Sequence, residues 1–587
     1  MSSKNIDALK ITVEIFPYPS FRPFQEDIYR KVYDSLRNGV PALINAPTGL
    51  GKTAAVLAAA VKFTLETGIP IHYAVRTRAE LEPPVRELSK MRKKGVEVDY
   101  VVIKSRQDMC CYPQLRKLSY LEFLAECSYL RKTGKCAYYP PMEVDAPLRS
   151  VSAYVKFLCA ASSCPYEYAK KKLRDAKILI STYYYVFSKE GADVRKRVVI
   201  IDEAHSVFDA VVQLHGFKLN ESEIRQAYSE ARKYGFVEEA AKIYRLYAFV
   251  RKTTGTVDIG DLLSLIADLD LDEVIGKITA LKIERRSTPY TPLLLLKELK
   301  EALRTKTRLY AEVEETGGSK VLALYPLDPA TVVREALRGA YAVVYLSGTL
   351  PVELFAQNLG LTKYEKFDVP FNAYVPRENY LTIIDVGVTT RYAERGEEMY
   401  FGLAKRLATL INLSPRGILA VFPSYEVMKG VRKYLKISIP HWYEDSGEVA
   451  EELPDKFFIG AVARGRYTEG VEYTRDGENL LSTVAIVGVP FPEPSPYLER
   501  RVEILRPKLR EKAWEAVYLY EAVVGIRQAV GRLFRGPGDR GVIALLDRRY
   551  AEPDLWGQLS DLTSGATIVG DVEEAEESIR KFFNAVL

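Results

Sequence analysis

Ala46-Pro-Thr-Gly-Leu-Gly-Lys-Thr53 stands between an apolar, strand-like run, Val40 to Asn45, and a helical run from Ala54 to Leu65. Strand, glycine loop and helix in that order make a phosphate-binding loop. Backbone N–H groups of such a loop and of the helix N-terminus face anionic phosphates, Lys52 adds a point charge, and the Thr53 hydroxyl is suited to Mg²⁺. Ala46 replaces the first glycine of the strict pattern. Gly49 and Gly51 still allow the backbone to approach a ligand closely.

Two further motifs complete a nucleotide motor. Val198 to Ile201 is an apolar strand ending in Asp202-Glu-Ala-His205. There Asp202 can hold Mg²⁺ while Glu203 orients and polarises the attacking water. Far downstream, Gln528-Ala-Val-Gly-Arg-Leu-Phe-Arg535 precedes Gly536-Pro-Gly and a strand from Val542 to Leu546. Arg532 and Arg535 are placed to cross a domain cleft and neutralise charge on a transferred phosphoryl group. Alone, the acidic tetrapeptide can also be a helix cap, and the arginines can be a solvated helix face. Together with Lys52 they read as one site.

At 587 residues the chain is too long for one core, and about four domains are expected. The hydrophobic share, 48%, is ordinary for globular protein. No apolar run reaches the roughly 18 residues of a membrane span, and the polar start, Met1 to Lys10, is unlike a signal peptide, so a soluble intracellular protein is expected. Charged residues make up 27% while Asn and Gln together number 18, a balance that points to a thermophile.

All six cysteines lie between Cys110 and Cys164, in a stretch that separates the phosphate loop from the acidic motif. From Lys104 to Arg174 there are 13 Lys and Arg against 6 Asp and Glu, a net +7 in a chain of net +6, so the basic excess belongs to this segment. Eight tyrosines share it: Tyr112, Tyr120, Tyr129, Tyr138, Tyr139, Tyr154, Tyr166 and Tyr168. Positive charge with aromatic faces suits single-stranded nucleic acid; a small tyrosine core under a solvated surface is the plainer reading. A module of about 70 residues has a marginal core and calls for a staple. Disulfides are expected inside cells only in hyperthermophiles. Zinc is disfavoured because no Cys-x-x-Cys pair occurs and none of the four histidines, His72, His205, His215 and His441, lies here. A cysteine-only centre with wide spacing is closer to an iron–sulfur site.

The three motifs, in this order, resemble those of superfamily 2 helicases, and the likeness extends through nearly the whole chain. Phe21-Arg-Pro-Phe-Gln25 resembles the adenine-side motif, which implies cofactor contacts for Arg22 and Gln25. Arg76-Thr77, Ser347-Gly-Thr-Leu350, Phe422-Pro-Ser-Tyr425 and Ala463-Arg-Gly-Arg-Tyr-Thr-Glu-Gly-Val-Glu472 resemble the intermediate motifs, implying strand contacts for Arg76, Thr77, Tyr425 and Arg464. The last motif usually ends Gly-Ile-Asp, where this chain has Gly470-Val471-Glu472. The same likeness implies that Gln528 joins Lys52, Asp202, Glu203, Arg532 and Arg535 in the catalytic set.

Within that superfamily the segment resembles the XPD helicases and their DinG-type relatives. Ser105-Arg-Gln-Asp-Met-Cys110 and Cys164-Pro-Tyr166 match the first and last cluster cysteines. Cys127 and Cys136 fill the middle places, with Cys110 chosen over Cys111, while Cys111 and Cys159 are left as packing residues. The resemblance implies ATP, Mg²⁺ and one [4Fe–4S] cluster. It also implies single-stranded and forked DNA as partners, 5′ to 3′ movement, nucleotide excision repair or a related pathway, and a monomer that meets repair or transcription-factor proteins; the short C-terminus and thermophile-like composition favour an archaeal cytoplasm, with the nucleus as the site in a eukaryote. An RNA-directed DEAH-type helicase, and an ATP-switched single-strand scaffold without unwinding, remain alternatives.

The expected architecture is α/β with two RecA-like motor domains, a small Fe–S domain and a helical arch inserted in the first. The first motor domain occupies 1–103, 175–209 and 323–350; the cysteine domain 104–174; the arch 210–322; the second motor domain 351–587. Apolar spacing of three and four predicts arch helices over Ser222–Lys252, Leu262–Leu281 and Leu294–Leu303. Strands are expected at Gly417–Phe422, Phe457–Val462, Val484–Val489 and Val542–Leu546, with a closing helix over Glu573–Leu587 and no docking segment after it.

Overall fold

The computed structural model describes residues 15–585 apart from 145–149, 189–190, 286, 306, 448–451 and 470. Met1 to Lys10 and Gly470 therefore lie outside the described residues. Two seven-stranded parallel sheets organise the chain. In the first the spatial order is Glu365–Asp368, Ala42–Asn45, Ala342–Ser347, Val198–Asp202, Ile71–Val75, Ile178–Thr182, Tyr100–Ile103. In the second it is His441–Tyr443, Phe458–Val462, Gly417–Phe422, Leu481–Val487, Gly541–Leu546, Tyr380–Asp385, Thr567–Val569. The central strands are buried along their whole length, as apolar runs covered on both faces by helices require.

Register decides the chemistry. Asn45 lies beside Ser347, and Leu346 beside Asp202, so the phosphate loop, the Ser347 motif and the acidic motif leave neighbouring strands at one edge. Such carboxyl-end edges are where open α/β sheets bind ligands. The helix Lys52–Thr67 follows the loop, is buried from Ala54 to Thr64, and ends at Gly68.

Several expected boundaries move. The strand Glu365–Asp368 pairs with Ala42–Asn45, which carries the first motor domain past residue 350. The arch is not helical throughout. Its helices, Glu221–Lys233, Val237–Lys252, Ile259–Ile266, Leu271–Glu284 and Leu293–Leu303, pack on a four-stranded antiparallel sheet of Phe217–Asn220, Ser319–Pro326, Leu309–Thr316 and Gly255–Val257. That sheet runs to Pro326, beyond the expected limit at 322. In the second motor domain the strand expected at Val484–Val489 runs Leu481–Val487, and the closing helix spans Val572–Asn584. Among the described residues no helix is long and apolar enough to cross a membrane.

His72, on the buried strand Ile71–Val75, bonds Ser181 Oγ through Nε2 at 2.7 Å, and its Nδ1 has no partner. Burial pushes its pKa down to about 3. The unfolded chain, titrating near 6.5, takes up that proton more readily, so stability is full above about pH 6.5 and falls as pH drops toward 3. We expect about 2 kcal/mol less stability at pH 5 than at pH 7.5, and a shallower slope in His72→Gln. Thermal melts across that range check it, and an unchanged slope in the variant would clear His72 of the effect.

Candidate functional site

The phosphate loop is closed by contacts that only glycine permits. Gly49 and Gly51 have φ of 85° and 87°, a left-handed region that other residues avoid. A Cβ on Gly49 would lie 2.1 Å from the Arg535 carbonyl oxygen, and one on Gly51 would lie 2.3 Å from Gln25 Nε2. The second motor domain thus closes onto the loop through Arg535, and Gln25 clips it from the other side. Gln25 Nε2 donates to Leu50 O at 2.9 Å and Gly51 O at 3.2 Å, while its Oε1 accepts from Arg22 N at 2.8 Å. Arg22 also reaches Gly49 O at 3.4 Å. Lys52 Nζ donates to Pro47 O at 3.3 Å; desolvation lowers its pKa, and Glu203 and Asp202 support its charge.

The acidic pair is held tightly. Asp202 Oδ1 accepts from the Glu203 N–H at 3.0 Å, and Oδ2 accepts from the Tyr73 hydroxyl at 2.6 Å. Desolvation raises both carboxyl pKa values, and repulsion from Glu203 raises Asp202 further. Glu203 has a φ of 52°, strained for a side chain of this kind, and Ser206 fixes it by donating from Oγ to Glu203 O at 2.8 Å.

His205 joins both domains. Nδ1 lies 2.7 Å from Ser347 Oγ and 3.3 Å from Glu203 Oε2, and Nε2 lies 3.1 Å from Gln528 Nε2 of the second motor domain. Burial lowers its pKa to about 4, so the ring is neutral at pH 7. A Gln528 amide that donates to Nε2 requires the proton on Nδ1, where it faces Ser347 and Glu203. Tyr520 adds a bond to His205 O at 2.7 Å. Gln528 was expected in the site; the relay through His205 is not legible in the motifs.

The two arginines differ. Arg532 binds Thr468 O and Glu469 O at 2.7 and 2.5 Å, close enough for its charge to act on Glu203. The Arg535 guanidinium pairs with Glu472 at 3.3 Å, so the longer carboxylate of that motif meets this arginine. A cavity of about 50 Å³ is lined on the loop side by Pro47, Thr48 and Gly348 and on the second motor domain's side by Arg527, Gly531 and Phe534.

In the cysteine module Cys111 and Cys159 form a disulfide, Cα to Cα 5.5 Å, which corrects their expected role as packing residues. Cys110, Cys127, Cys136 and Cys164 remain free and partly buried. Cys110 feels the charges of Cys127 and Cys164, and Cys127 that of Cys136, so the four face one region. Backbone N–H groups of Tyr166 and Glu167 point at the Cys164 sulfur, that of Tyr112 at Cys110, and Arg106 at Cys127. Burial pushes the Cys110, Cys127 and Cys164 thiols up, and each of these contacts opposes that rise. Among the described residues no three His, Cys, Asp or Glu gather closely enough for a single metal ion. Tyr154 and Tyr168 are buried in the first motor domain's core, leaving Tyr120 and Tyr139 as the exposed tyrosines of the module.

Two family models match the chain, DEAD_2 over residues 73–224 and a helicase C-terminal domain over 407–564. The ATP-dependent DNA helicase XPD of Sulfolobus acidocaldarius is 26% identical across 90% of this chain and 96% of its own length. The chain belongs to the XPD-type helicases. A probable ATP-dependent helicase of Methanocaldococcus jannaschii is 23% identical over 92% of this chain and 93% of its own. A solved XPD helicase shares the fold, with a TM-score of 0.71 at 24% identity, covering 94% of this chain and all of that one.

On the strand side of this XPD-type helicase, the four expected residues are not equivalent. Arg76 is clasped by Glu469 of the second motor domain at 2.8 Å, and Arg464, at a φ of 63°, pairs with Glu521 at 3.1 Å. The Thr77 N–H donates to Glu80 at 3.2 Å. Tyr425 is 47% exposed, at the start of a helix capped by Ser424. Beside it opens a cavity of about 910 Å³ that includes Tyr392, Arg395, Phe491, Arg506, Trp514 and Tyr518. Trp514 stacks on Tyr518 at 5.5 Å and meets Phe491 edge-on at 5.2 Å. These aromatics are spread from 392 to 518 and form no local motif.

Proposed function

We propose that this protein is an ATP-driven motor that moves along single-stranded DNA, 5′ to 3′, and unwinds the duplex ahead of it in nucleotide excision repair or a related repair pathway. The observation that carries the reading is the cleft itself: Lys52, Asp202 and Glu203 come from one domain, and Gln528 and Arg532 from the other. Glu203 orients the attacking water and takes its proton, Lys52 holds the phosphates, and Arg532 offsets charge on the transferred group. His205 relays cleft closure to Ser347. Thr53 and Asp202 would hold Mg²⁺, which screens the phosphate charge when bound.

The strand would lie against Tyr425 and the aromatic cavity, where bases stack without sequence preference. Arg76 would exchange Glu469 for a phosphate on binding. Cys110, Cys127, Cys136 and Cys164 would hold one [4Fe–4S] cluster as a staple of the module, and the sulfur-directed N–H groups fit such a group. The disulfide beside them accords with a hyperthermophile's cytoplasm. A monomer on forked DNA, with repair or transcription-factor proteins as partners, completes the reading.

Trp514→Ala should weaken binding of a labelled single-stranded oligonucleotide by about 1–3 kcal/mol in fluorescence anisotropy, with DNA-free ATPase unchanged. Wild-type affinity in the variant would move the strand elsewhere. ATPase stimulation by DNA against RNA tests the substrate class, and stronger stimulation by RNA would overturn it.

A further inference from the structure

Tyr73 lies on the buried strand next to that of Asp202, with Tyr73 opposite Ile200, two residues before the carboxylate. Its side chain is fully buried. A buried phenol needs a partner, and this one has two: its hydroxyl donates to Asp202 Oδ2 at 2.6 Å and is itself met by the Thr53 side chain. Thr53 and Asp202 belong to different motifs, and Tyr73 to neither.

The remaining hydrogen bonds of Asp202 explain why the hydroxyl matters. Oδ1 is fixed by the Glu203 N–H at 3.0 Å, and no Lys or Arg forms an ion pair with this carboxylate among the described residues. Without the Tyr73 hydroxyl, Oδ2 would lose its hydrogen bond and the carboxylate would be free to turn about its last bond. Each carboxylate oxygen has two lone pairs, so one on each stays available for an ion or its water. Tyr183 also touches this residue, but through the Asp202 backbone carbonyl. It holds the strand end without orienting the side chain.

We propose that Tyr73 is a positioning residue of the ATPase centre, its hydroxyl setting the Asp202 carboxylate and tying it to Thr53 so that both oxygen groups stand ready for Mg²⁺. The proposal rests on the reading of Thr53 and Asp202 as the magnesium-side residues. Outer partners of metal ligands typically change metal affinity by about 10–100-fold when removed.

The test uses full-length Tyr73→Phe, which keeps the ring that fills the core. Binding of a fluorescent non-hydrolysable ATP analogue is titrated with Mg²⁺, beside Tyr183→Phe and Asp202→Asn. The Mg²⁺ midpoint should rise by about 10-fold or more in Tyr73→Phe. Analogue binding without Mg²⁺ and the midpoint of Tyr183→Phe should stay within about 2-fold of wild type. An unchanged midpoint in Tyr73→Phe, or an equal rise in Tyr183→Phe, would overturn the proposal. If Asp202→Asn is unchanged as well, the assignment of Asp202 to the ion falls with it.

Discussion

Lys52→Ala is expected to lower ATP hydrolysis by roughly 10²–10³-fold or more and to abolish unwinding, while single-strand affinity stays within about 2-fold. Lys52 sits at the first position of the helix that follows the loop, with its ammonium between Pro47 O and the charges of Asp202 and Glu203. In the proposed mechanism it is the cation that joins the phosphates to the acidic pair. Tyr425 and Trp514, the proposed strand contacts, stand on the second motor domain away from this lysine. A phosphate-release assay and anisotropy on one preparation check both halves. Turnover near wild type would remove the loop from the mechanism.

Cys164→Ser should lose cluster iron and unwinding while keeping part of the ATPase. Cys164 precedes the helix Pro165–Lys172, and its sulfur receives the Tyr166 and Glu167 N–H groups, so the substitution removes the sulfur at which two backbone donors point. Among the described residues, none of those placed in the ATP cleft belongs to that module, so hydrolysis is expected to survive in part. Cys111→Ser is the informative partner. It breaks the link to Cys159 and should lower the melting temperature, yet retain full iron. Iron analysis of anaerobically purified variants decides between them. Full iron in Cys164→Ser, or its loss in Cys111→Ser, would refute the set of four.

Residues whose meaning is local were legible before the fold. The loop at Ala46–Thr53, the acidic strand end at Asp202 and the Gln528–Arg535 helix each carry their chemistry within a few positions, and the structure brings them into one cleft. The arch sheet was not legible, because Gly255–Val257 is only three residues long and glutamates interrupt the apolar pattern of Leu309–Thr316. The edge strand Glu365–Asp368 has no fully buried residue and carries three charges, so it gives no apolar run. The Cys111–Cys159 pairing depends on how a helix folds back across 48 residues. The same is true of Tyr73, of the His205 to Gln528 contact and of the aromatic cavity: each joins residues that only tertiary packing makes neighbours.

Unwinding of DNA duplexes with either a 5′ or a 3′ single-stranded tail, with Lys52→Ala as control, tests the motor reading most directly. ATP-dependent strand separation from the 5′ tail alone is the predicted result. Preference for the 3′ tail, or stimulated ATPase without any separation, would contradict it.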